Sequence, residues 1–168
     1  MKEITITINE CDITGCIFSE SGYATLARAK SGMPERLTDI VQATEDDRSV
    51  LRRFIAESMN EAAGIITRYM SPCTVRRTGA GDEADAIINI QFAMPHNFAT
   101  GIIASLKESI TSFAAARSLQ HWMLMVNPDE ASIHLSKAQS DIARMRELLS
   151  ARTRPVKGGT ADDNIIEL

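Results

Sequence analysis

Three cysteines and three histidines are the side chains in this sequence best suited to hold a metal or attack a substrate. Cys11 and Cys16 are separated by four residues, and Cys73 is remote. A zinc site needs four ligands, usually in tighter pairs. His96, His121 and His134 do not pair with each other or with a carboxylate at the spacing of a metalloprotease helix. The expectation is therefore no metal and no cofactor, with small buried thiols and ordinary histidines. Gly79-Ala80-Gly81 resembles the opening of a phosphate-binding loop, but the later glycine is missing and no helix opens directly after it. A hairpin tip accounts for it better. There is no Gly-x-Ser-x-Gly elbow and no recognisable Ser, His and Asp trio, so no enzyme is expected.

What remains is binding chemistry. Arg144, Arg146, Arg152, Arg154 and Lys157 concentrate positive charge near the C-terminus. They suit either a helix dipole or a phosphate or acidic partner, and salt dependence separates the two. No aromatic platform for stacking bases is interleaved with them. Asp162, Asp163, Ile165, Ile166 and Leu168 then mix acid with aliphatic anchors beyond a Gly158-Gly159 joint. Such a segment can add a strand to a partner sheet.

These residues need elements to carry them. Asn97 can cap a helix over Phe98–Val126, ended by Asn127-Pro128, and Asp129 can start another through Ala151. The second has a stripe of Leu135, Ala138, Ile142, Met145 and Leu149, and the first carries Ile102, Leu106, Ile110 and Phe113. From Leu119 to Val126 the first helix is apolar nearly all round, so it must bury more than one face. Such residues are more often core, and the alternative for the extra face is a subunit interface through Trp122, Met123 and Met125. A third long helix spans Glu45–Met70, opened by Thr44 with Asp47 and ended by Ser71-Pro72. Ile4, Ile6 and Ile8 alternate with threonines as a strand does. Cys73–Arg77 and Ile88–Phe92 read as a hairpin, with Gly79, Ala80, Gly81 and Asp82 at its partner-binding tip. Cys11–Gly32 reads as an irregular excursion, with a short helical turn around Ala24–Lys30. Leu37–Val41 reads as a short strand or turn.

The fold expected is mainly α with a small β element: three long helices in a bundle, a hairpin, an N-terminal strand and an extended C-terminal arm. Its divisions are 1–43 (strand and irregular extension), 44–152 (helical body, hairpin at 73–92) and 153–168 (arm). The composition is ordinary for a globular chain, 44% hydrophobic and 24% charged, with net charge −4. Bulk charge argues against polyanion binding. The N-terminus has no secretory or transit pattern, no run reaches membrane-spanning length, and the scattered cysteines fit synthesis in a reducing cytoplasm.

Asp46-Asp47 with Leu51 through Tyr69, Ile88 through Phe98, Asn127 through Ala131, and Leu148 through Val156 together resemble head–tail connector (adaptor, or head-completion) proteins of tailed bacteriophages. The resemblance covers Thr44 to Lys157 and is to those of phages and prophages of Bacteroides-like gut bacteria. It implies a structural virion protein made in the bacterial cytoplasm and placed at the head–tail interface. Such a protein forms a homo-oligomeric, dodecameric ring between the portal and the next neck or tail-completion protein. Genomic DNA passes through the bore without specific contact, and no membrane is involved. The resemblance further implies that the arm carrying Asp162, Asp163, Ile165, Ile166 and Leu168 binds the portal; Arg152, Arg154 and Lys157 form a basic cluster just before it. The competing class is a small DNA-binding regulator with a helical core. Against it, the helices are long and no helix-turn-helix spacing is present.

Overall fold

A computed structural model of the chain describes residues 2–30, 42–70, 72–79, 86–95 and 100–151. The element order is β1 (Lys2–Asn9), α1 (Glu10–Lys30), a 3-10 turn (Glu45–Asp47) leading into α2 (Arg48–Thr67), β2 (Cys73–Thr78), β3 (Ile87–Met94), a second 3-10 turn (Thr100–Ile102), α3 (Ile103–Val126) and α4 (Pro128–Ser150). The chain is mainly helical with a small three-stranded antiparallel sheet, as its periodicities predict.

β3 is the central strand. It pairs with β1 through Ile6↔Ile90 and with β2 through Val75↔Ile90. Strict alternation sends Ile4, Ile6, Ile8, Ile88, Ile90, Phe92 and Met94 to one buried face. Thr5, Thr7 and Gln91 stay on the outer face, where Thr7 Oγ1 donates to Asn89 Oδ1 at 2.9 Å. The inner face packs on α2 and α3. At the hairpin, Gly79 has φ 135°, a left-handed conformation, and a Cβ there would lie 3.0 Å from the Ala86 backbone.

α3 is the axis of the helical layer. It runs antiparallel to α2, where Ser58 Oγ and Ser118 Oγ meet at 3.3 Å and Arg117 Nε donates to Glu61 Oε2 at 3.0 Å. It also runs antiparallel to α4, with Ser112 Oγ donating to Asp141 Oδ2 at 2.8 Å. The run Ala114-Ala115-Ala116 is buried, because small side chains let neighbouring helices approach closely. Of the predicted α4 stripe, Ala138, Met145 and Leu149 are buried, and Leu135 and Ile142 are half-buried.

Three expectations are corrected. Residues 10–30 form a 21-residue helix instead of an irregular excursion, and its Ile13 and Ile17 belong to the same core as α2 and α3. In the apolar end of α3, Leu119, Trp122 and Met123 are buried within the chain, where α1, α2 and α4 pack around α3, while Leu124 and Met125 are more than half exposed. α4 starts at Pro128, before Asp129, with Asn127 at the N-cap position making no side-chain capping bond; Pro128 sits in the first turn, where a missing N–H costs nothing. The Thr44–Asp47 start does form: Thr44 N and Thr44 Oγ1 donate to Asp47 Oδ2 at 2.9 and 3.0 Å. Asn97 and Leu37–Val41 lie outside the described residues.

Candidate functional site

Three features stand out above the packed core. The first is a buried carboxylate. Glu10 opens α1 directly after β1, and its N–H donates to Ala86 O at 2.9 Å. Its side chain is 5% exposed. Arg52 Nε on α2 donates to Oε1 at 3.1 Å, and Arg77 Nε on β2 donates to Oε2 at 2.6 Å. Glu10 holds the Arg77 guanidinium above its ordinary pKa, first by this hydrogen bond. One carboxylate thus joins three elements distant in sequence. Burying a charge without such partners is costly.

The second feature is the α1–α4 seam. Lys137 and His134 of α4 face Glu20 of α1: Lys137 Nζ donates to Glu20 Oε1, and His134 Nδ1 lies 3.8 Å from Oε2. Burial pushes the His134 pKa down against the pull of Glu20. Beside this seam, Cys16, Glu20, Lys107, Ser112 and Lys137 line an open groove of about 510 Å³. On the other side of α3, His121 stacks near Phe54 at 5.3 Å, and burial lowers its pKa too.

The third feature is an apolar end. α3 and α2 are antiparallel, so the start of α2 lies level with the end of α3. Ala43 N, just before α2, donates to Ser21 Oγ at 3.1 Å, which brings the later turns of α1 to that same end. Tyr23 and Leu26 on α1, Leu124 and Met125 in the last turn of α3, and Ile133 in the first turns of α4 are each more than half exposed. Asn127, at the turn between α3 and α4, is 5% exposed, and its Nδ2 has no partner among the described residues.

The residues singled out from sequence divide sharply. Trp122 and Met123 are 6% and 0% exposed and belong to the chain's own core, whereas Met125 is 54% exposed. Gly79 closes β2, and Ala80, Gly81 and Asp82 lie outside the described residues. So do Arg152, Arg154, Lys157, Asp162, Asp163, Ile165, Ile166 and Leu168. Cys11 and Cys16 are exposed free thiols on α1, and burial raises the pKa of the half-buried Cys73. Among the described residues no group of three His, Cys, Asp or Glu converges as a metal cage would, and no helix is long and apolar enough to cross a membrane. Sequence reasoning missed Glu10 and Glu20. Their only early signal was acid inside a stretch poor in large apolar residues.

The fold and these features define a mainly α chain with a three-stranded antiparallel sheet and an apolar end. No known protein-family model, curated protein or solved structure matches it.

Proposed function

We propose that the chain is a structural assembly protein, a ring-forming adaptor between the portal and the neck or tail of a tailed phage. The observation that carries this reading is the apolar end. Leu124 and Met125 in the last turn of α3 and Ile133 in the first turns of α4 are exposed near one turn of the chain, and exposed apolar side chains there are what an assembly contact would cover. The phage connector resemblance of Thr44 to Lys157 supplies the class of assembly. In this reading the copies form a ring, DNA passes through the bore, and the arm carrying Asp162 to Leu168 reaches beyond its own body.

The test is capture by portal rings of the same genome. The full chain should co-sediment with them. Ile133→Asp and Met125→Glu, both surface changes, should reduce capture about tenfold or more while leaving the melting temperature within a few degrees. Capture of duplex DNA with no binding to portal would contradict the reading and favour the regulator.

A further inference from the structure

Between α2 and β2, which pack on each other, lies a cavity of about 160 Å³. Ile55 and Met59 of α2, Val75 of β2 and Ile88 of β3 form its apolar walls. Glu10, Arg52 and Arg77 line it as well. The carboxylate cluster that ties α1, α2 and β2 together is therefore not sealed in the core but opens into this space. Ala56 and Asn60, exposed on α2, complete the lining.

Both oxygens of Glu10 are occupied, Oε1 by Arg52 Nε and Oε2 by Arg77 Nε. The bond to Glu10 uses one corner of the Arg77 fork and holds the guanidinium at the cavity wall. Among the described residues it is the one bond that Arg77 makes, so Nη1 and Nη2 remain as donors. The Arg77 side chain keeps 36% of its surface exposed. Two arginines against one carboxylate leave the lining with one net positive charge. The larger groove beside the α1–α4 seam differs, because Lys107 and Lys137 are balanced there by Glu20 and Glu108.

We infer that this cavity binds a small aliphatic monocarboxylate, with the carboxylate on the remaining donors of Arg77 and the tail against Ile55, Met59, Val75 and Ile88. Each property of the ligand answers a property of the wall. One net positive charge suits a monoanion better than a phosphate dianion. The planar fork of a guanidinium matches a carboxylate, and Glu10 has already set it in place. Aliphatic walls suit a hydrocarbon tail, and a volume below the usual range of about 300–1,000 Å³ for ligand pockets requires a short one. The site stands on the Glu10 cluster and its cavity and is independent of the assembly reading. A bound acid stabilises the folded chain by mass action, since the unfolded chain has no such cavity. A cluster serving only to tie three elements together binds nothing.

Methyl NMR of the full chain, titrated with sodium isovalerate at pH 7 and constant ionic strength, separates the two. The methyls of Ile55, Met59, Val75 and Ile88 should shift together and saturate, with Kd about 1 mM or tighter. Isovaleramide, the same tail without the charge, and inorganic phosphate, an anion without the tail, should each bind at least about tenfold more weakly. Arg77→Gln should weaken isovalerate binding by a similar factor. Ala56→Trp, an exposed change on the cavity rim that leaves every member of the ion cluster in place, should block it while the methyl spectrum stays that of the folded chain. No saturation by about 20 mM isovalerate would overturn the proposal. So would isovaleramide or phosphate binding as well as isovalerate, or binding that survives Ala56→Trp.

Discussion

α1 and α2 are of similar length and both lean on α3, yet they are held by different forces. α2 buries Leu51, Phe54, Ile55, Met59, Ala62 and Ile66 against α3 and the sheet. α1 contributes Ile13 and Ile17, and its other buried positions are Glu10, Thr14 and Ser21. Its place is fixed by ions: Glu10 to Arg52 and Arg77 at one end, Glu20 to Lys137 further along. Apolar burial is insensitive to pH and salt, whereas ion pairs and buried histidines respond to both. The seam with α1 is thus the conditional part of the fold.

The largest expected effect is on the unconditional part. Phe113 on α3 is fully buried, and Phe113→Ala should cost about 3–5 kcal/mol in chemical denaturation. Trp122→Ala should fall in the same range, because Trp122 is core. Equal or greater loss from a change on α1 alone would break the contrast. Next comes Glu10→Ala, which leaves two arginines without their carboxylate. Arg77 is partly in water, so the cost should be about 2–3 kcal/mol, below the full penalty for breaking a buried pair. Loss of amide protection in α1 before α2 in hydrogen exchange would sharpen the point.

The pH effect is smaller. His134 and His121 both have pKa values lowered from 6.5, chiefly by burial. The unfolded chain then binds protons that the folded chain refuses. Their contribution is fully present above the unfolded value of 6.5 and is lost as pH falls from there toward the depressed folded values. Melting temperature should drop on acidification through this window, and His134→Asn with His121→Asn should flatten the slope. An unchanged slope would place the pH dependence elsewhere. The smallest effect belongs to Glu20→Gln. Both partners in that pair keep solvent contact, so about 0–1 kcal/mol is expected, vanishing in high salt.

The same contrast explains what was legible in the sequence. α2 and α4 declare themselves through apolar stripes, and the sheet through Ile-Thr alternation. α1 does not, because its buried Thr14 and Ser21 look polar in the sequence. In the fold their hydroxyls donate to Glu10 O and Phe18 O within the helix, so each is satisfied without a partner residue that spacing could reveal. Glycines at 15 and 22 weaken the helical signal further. With α1 unseen, the apolar end of α3 lacks one of the neighbours that bury Leu119, Trp122 and Met123 within the chain. The Glu10 cluster joins residues 42 and 67 positions apart, beyond the reach of any local pattern. Leu124 and Met125 are marked by the apolar run of α3, while the exposure of Tyr23, Leu26 and Ile133 appears only once the helices are placed.

The central claim is that this chain assembles with itself and sits within a larger structure. Electron micrographs of the purified full chain, taken alone across a range of concentrations, test it most directly. The account predicts closed rings of uniform diameter. Monomers at every concentration, or a monomer or dimer that changes only when duplex DNA is added, would contradict it.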